Sequence, residues 1–115
     1  MSNQILNEIV VRLQTTVQQL EEFASGANDE EQRYARSLRD LVQRYIELGR
    51  KASLGSDRSE IKFVLGNISA IMKGAIDIGS SWEDERPEEW DFLSETTRLA
   101  QHAELSLIED DIQST

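Results

Sequence analysis

Apolar residues recur three or four positions apart through four separate segments of this chain, and Gly, Asn, Asp and Ser gather between those segments. Only a helix carries residues at that spacing along one side, so the pattern commits the chain to an all-α fold. The first segment, 3–25, aligns Leu6, Ile9, Leu13, Val17, Leu20 and Ala24 on one stripe and meets Gly26, a natural stop. Asn28-Asp29-Glu30-Glu31 has the form of a capping box, in which the Asn side chain accepts from the N–H three residues on while Glu31 reaches back. It opens a second helix over 29–53, whose stripe alternates fours and threes through Tyr34, Leu38, Leu41, Tyr45, Leu48 and Ala52 before Gly55 ends it.

Asp57-Arg58-Ser59-Glu60 repeats the capping form and opens a third helix over 58–78, with a stripe of Ile61, Val64 or Leu65, Ile68, Ile71 or Met72, and Ala75. Between Phe63 and Ile76 only Lys73 is charged. Gly66 and Gly74 each cost about 1 kcal/mol in helix propensity, so close packing on more than one side is needed to offset them. This helix is therefore expected at the centre. A polar connection, Trp82 to Arg86, leads to Pro87, whose missing N–H suits the first turn of a fourth helix over 87–108 carrying Trp90, Leu93, Thr97, Ala100, Ala103 or Glu104, and Leu107 along one side. Residues 109–115 are expected to fray.

Four segments of about 21 to 25 residues make helices roughly 30 Å long. Joined by short turns, they predict an antiparallel four-helix bundle of up-down-up-down topology, one domain spanning 1–115. With 38% apolar residues the chain can build a core in spite of a formal net charge of −10. Its longest apolar runs, such as Ile9-Val10-Val11, are three residues, so no membrane helix is expected. The opening Met1-Ser2-Asn3-Gln4 lacks a basic region followed by an apolar block, which predicts no secretory signal and makes the cytoplasm the expected location. With no cysteine there is no disulfide, no thiolate nucleophile and no Cys-based metal site.

Charge is distributed unevenly. Residues 1–82 hold 11 acidic and 10 basic side chains, whereas residues 83–115 hold 11 acidic and 2 basic, a net of −9. Carboxylates at the start of the fourth helix complement the positive end of its dipole at about 0.3–1 kcal/mol each. Glu109, Asp110 and Asp111, at the other end of that helix, face the wrong pole and have no such explanation. Either the acids form a solvated face or they form a docking surface for a basic partner. The two tryptophans, Trp82 and Trp90, flank the acidic run and favour docking, because aromatic anchors surrounded by steering charges are common in binding hot spots. Core packing is the competing explanation of each indole. The second helix carries Arg33, Arg36, Arg39, Arg44, Arg50 and Lys51, but Asp29, Glu30, Glu31, Asp40 and Glu47 lie interleaved with them. Pairs such as Arg36–Asp40 and Asp40–Arg44, together with a position beside the acidic fourth helix, would absorb these cations, and the net charge opposes direct nucleic-acid binding.

Catalytic patterns are sparse. His102 has Arg98, Leu99, Leu105 and Ser106 at helical spacing and so no second metal ligand in register, and no G-x-S-x-G elbow accompanies any serine. Glu88, Asp91 and Glu95 share one helix face, the arrangement of a magnesium-dependent nucleotide hydrolase, but the facing acids would have to be Asp40 and Glu47, set among arginines. One stretch, Met72-Lys73-Gly74-Ala75 followed by Ile78-Gly79, resembles the signature of histidine-containing phosphotransfer domains, themselves four-helix bundles. Ala70 stands where that family places its phosphoacceptor histidine, so the resemblance implies a similar bundle without phosphotransfer chemistry.

The resulting expectation is a non-enzymatic acidic helical protein, without cofactor or metal, that neutralises a basic partner such as a nuclease toxin or nucleic-acid-binding protein, as an immunity protein, antitoxin or phage-type inhibitor does. Its expected contact residues are Trp82, Glu83, Asp84, Glu85, Glu88, Glu89, Trp90, Asp91 and Glu95. A second expectation is a homo-oligomeric adaptor, possible down to a homodimer, because Ile5, Val10, Val11, Phe23, Phe63 and Ile76 fall off the primary stripes and supply surplus apolar surface. The magnesium-dependent hydrolase is the third.

Overall fold

The computed structural model describes residues 2–26, 28–55 and 57–113, with side chains over 4–26, 28–55 and 57–109. The described residues form α1 (Ser2–Gly26), α2 (Asp29–Leu54), α3 (Arg58–Ile78), α4 (Trp82–Glu85) and α5 (Pro87–Gln113), with no strand among them.

Local chemistry sets most of the boundaries. The Asn28 side chain accepts from the Glu31 N–H at 2.9 Å, and the Asp57 carboxylate accepts from the Ser59 and Glu60 N–H groups at 3.0 and 3.3 Å. Among the described residues no return bond from the Glu31 side chain to the Asn28 N–H completes the first capping box. At the far ends, Gly55 N–H donates to the Ala52 carbonyl and Gly79 N–H to that of Ala75. Two boundaries depart from the sequence reading. The connection after Gly79 contains a single helical turn, α4, pinned by the buried Trp82, instead of a polar loop. The last helix is described as far as Gln113, beyond the boundary at 108 read from the sequence, with Leu107 buried and Ile108 half-buried; residues 114 and 115 lie outside the described residues.

α1 packs on α2 and α5, α3 packs on the same two helices, and α1 also touches α3 across the middle; among the described residues α2 and α5 do not touch. Paired positions run in opposite directions along each neighbouring couple. Ala24 lies opposite Gln32 and Val10 opposite Gly49; Arg12 lies opposite Thr96 and Glu22 opposite Arg86. The molecule measures 48 × 24 × 20 Å.

The predicted stripe of α1 is buried throughout. That of α2 is rotated by one residue: Ala35, Val42, Ile46 and Gly49 are buried, while Tyr34 and Leu41 are exposed and Tyr45 and Leu48 only half-buried. At Gly49 α1 comes close, and a Cβ added there would stand 2.5 Å from the Val10 Cγ2. Counting apolar positions weights side-chain size, whereas a tight helix crossing selects for its absence. Nor is α3 uniquely central, since α1 shares the inner diagonal with it and α1 and α2 have the most extensive contact. The two α3 glycines do face different neighbours, Gly66 lying under Glu104 of α5 and Gly74 under Tyr34 and Leu38 of α2.

Candidate functional site

The α1–α2 turn and the α3–α4–α5 connection lie together, with Glu22 accepting from Arg86 at 2.9 Å and one crevice lined from both. Both are acidic. Residues 20–33 contain Glu21, Glu22, Asp29, Glu30 and Glu31 against Arg33, and residues 74–92 contain Asp77, Glu83, Asp84, Glu85, Glu88, Glu89 and Asp91 against Arg86. Twelve acids and two bases give this end a formal charge of −10, the charge of the entire chain, and the remaining residues balance ten against ten. The sequence reading placed the excess in the C-terminal third. The fold gathers it instead at one end, recruiting acids from α1, α2 and α3 and leaving Glu109 at the opposite end of α5. The side chains of Asp110 and Asp111 lie outside the described residues.

The predicted contact residues fall into two groups. Glu83, Asp84, Glu85, Glu88 and Asp91 are exposed and make no ion pair among the described residues. Glu89 is half-buried and bonded to Arg86 at 3.1 Å, and Glu95 lies 3.7 Å from Arg12. The indoles differ from the expected anchors. Trp82 is 6% exposed and packs edge-on against Phe23 with ring centroids 5.7 Å apart, so it supports the acidic end from inside and presents no surface to a partner. Trp90 is half-buried on α5.

Arg86 and Arg12 carry roles that spacing alone did not reveal. The Arg86 guanidinium lies 5.2 Å from the Trp82 ring centroid and bonds Glu22 at 2.9 Å as well as Glu89. The hydrogen bond and charge of Glu89, reinforced by Glu22, raise its pKa further above the ordinary arginine value. It borders a crevice of about 430 Å³ with Glu22, Glu31, Asp77 and Glu85 around it and Phe23 and Trp82 behind. Arg12, half-buried between α1 and α5, donates to Thr96 Oγ1 at 2.9 Å and to the Phe92 carbonyl at 3.3 Å, and lies 4.1 Å from the Phe92 ring centroid. As one of two single cations opposite acidic segments, each was visible as a charge but not as a contact.

The arrangement offers little for hydrolytic chemistry. Glu88, Asp91 and Glu95 on α5 are not faced by Asp40 and Glu47, because α2 stands across the diagonal. Asp40 bonds its neighbour Arg39 at 3.1 Å and Glu47 bonds Arg50 at 3.1 Å, replacing the predicted Arg36–Asp40 and Asp40–Arg44 pairs and the predicted contact of α2 with the acidic helix. Among the described residues no group of three or more His, Asp or Glu side chains is placed to hold a metal ion. His102 is exposed, as are Ala70 and Lys73 in the stretch that resembles the phosphotransfer signature. No protein-family model, curated protein or solved structure matches the chain.

Proposed function

We propose that this chain is a non-enzymatic binding protein whose acidic end engages and neutralises a basic partner protein, in the manner of an immunity protein, antitoxin or phage-type inhibitor. The four long helices are read as one antiparallel up-down-up-down bundle that serves as the rigid support, and the cytoplasm as the place of action. One observation carries the reading: the formal charge of −10 is collected at one end, with Glu83, Asp84, Glu85, Glu88 and Asp91 exposed there and without an ion pair among the described residues. Charge of one sign focused on one end steers an oppositely charged protein to that end and raises its association rate by 10 to about 10³ at low salt. Carboxylates on a rigid support also stand where phosphates would otherwise meet a nucleic-acid-binding protein.

The test compares the protein with a variant in which those five carboxylates become the corresponding amides, each immobilised and exposed to lysate of the source cell, with bound proteins eluted by a salt gradient. A basic protein retained by the first and lost from the second, with unchanged helical circular dichroism in both, is the expected result. The same set retained by both sinks the reading.

A further inference from the structure

We propose that the outer stripe of α2 receives the acidic end of a second copy of this chain. The stripe that packing leaves outside consists of Tyr34 and Leu41, 51% and 41% exposed, with Tyr45 and Leu48 half-buried beside them. Arg44 and Lys51 follow Leu41 and Leu48 by three positions, which on a helix sets each cation next to the leucine before it, and Arg33 continues the same edge three turns earlier. From Arg33 to Lys51 the edge runs about 27 Å. These three cations have no ion-pair partner among the described residues: Asp40 and Glu47, the acids near Arg44 and Lys51, are held by Arg39 and Arg50, and Arg33, at the border of the acidic end, is joined to neither Asp29 nor Glu30.

The same chain carries the complement, five exposed and unpaired carboxylates at its acidic end. Within one molecule Arg44 and Lys51 stay apart from those carboxylates, because they lie more than about 20 Å along α2 from Asp29 and, among the described residues, α2 and α5 do not touch. Two copies can bring them together. The contact is end to side, so the two surfaces differ and the association continues as an open string instead of closing as a symmetric dimer. The end offers at most the 24 × 20 Å cross-section, less than the roughly 800 Å² per partner of a standard interface, so the association is weak and reversible. Salt weakens it, because exposed charges are screened beyond about 10 Å at 0.1 M and about 3 Å at 1 M.

Sedimentation equilibrium of the whole chain over a concentration series tests this. At about 0.1 M salt the weight-average mass is expected to climb above 13.1 kDa with concentration, and to return to it at about 1 M. The triple variant Arg33→Glu, Arg44→Glu, Lys51→Glu, and separately Leu41→Ser, is expected to remain monomeric, as is the variant Glu83→Lys, Asp84→Lys, Glu85→Lys. Mixing the two charge-reversed variants is expected to restore association, since a negative stripe then meets a positive end. A monomer at every concentration in low salt, or self-association unmoved by either reversal, overturns the proposal. The stripe variants leave the acidic end intact, so their failure to associate is separable from any loss of the basic partner.

Discussion

Gly49→Ala is the sharpest test of how α1 and α2 meet. In an unobstructed helix interior the change gains about 1 kcal/mol of helix propensity. Here the new Cβ would stand 2.5 Å from the Val10 Cγ2, where carbon atoms at rest keep about 3.5–4.0 Å. Val10 is 2% exposed and has no room to swing away, so about 1 Å of separation must come from moving the helices, at the 1–3 kcal/mol typical of an overfilled core. The two effects leave a net loss of about 1 kcal/mol. In a Val10→Ala background the obstacle is gone, Leu6 Cδ1 at 3.8 Å is an ordinary contact, and the same glycine change should stabilise by about 1 kcal/mol. Urea denaturation followed by circular dichroism reads both, 1 kcal/mol moving the midpoint by roughly 0.5 M, and the cycle should give a coupling of about 2 kcal/mol. A coupling near zero, with Gly49→Ala stabilising in either background, would refute the close crossing and with it the explanation of why the α2 stripe is rotated.

Three further outcomes follow from individual contacts. Arg12→Met, which keeps the stem but removes the donors to Thr96 and Phe92, should cost about 1.5–3 kcal/mol in the same denaturation assay. Gln19→Met should change stability by less than about 1 kcal/mol, because the bond from Nε2 to the Glu89 carbonyl is lost together with the burial of Oε1, which has no partner. Trp90→Phe should sharply reduce acrylamide quenching of the remaining indole emission, since Trp82 is the buried one; undiminished quenching would mean that Trp82 is open to solvent.

The bounds of α2 and α3 were legible because each opens on a side-chain cap and closes on a glycine, and the cores of α1 and α3 because large apolar residues fill them. Which side of α2 turns inward was not, since the decisive residues, Ala35 and Gly49, matter for the size they lack. Of the six apolar residues off the stripes, Val10 is buried, Phe23 and Ile76 half-buried, and Ile5, Val11 and Phe63 exposed, a sorting that depends on how near each neighbouring helix comes. The acidic residues after Trp82 were visible in order along the chain. Their joining with Glu22, Glu31 and Asp77 was hidden, because it needs the direction of every helix, and the inward turn of Trp82 needs Phe23, some 60 positions away.

Helix chemistry accounts for only part of the acidic end. Asp29, Glu30 and Glu31 open α2, and Glu88 and Glu89 open α5, where each carboxylate gains about 0.3–1 kcal/mol from the dipole. Glu22 and Asp77 lie near the ends of α1 and α3, neither of which has a basic residue in its last turn, and there the same dipole works against them. Glu83, Asp84 and Glu85 ride on a single turn with almost no dipole to complement. Crowding so many like charges raises the repulsion each feels, and Arg86 relieves only Glu22 and Glu89. The fold therefore pays for more negative charge at this end than its own helices use, and that surplus is the part a cationic surface would neutralise on binding. If so, replacing Asp77 with Asn should raise thermal stability slightly, while slowing capture of the basic partner at low salt; a loss of stability instead would assign the carboxylate to the fold and remove it from the docking argument.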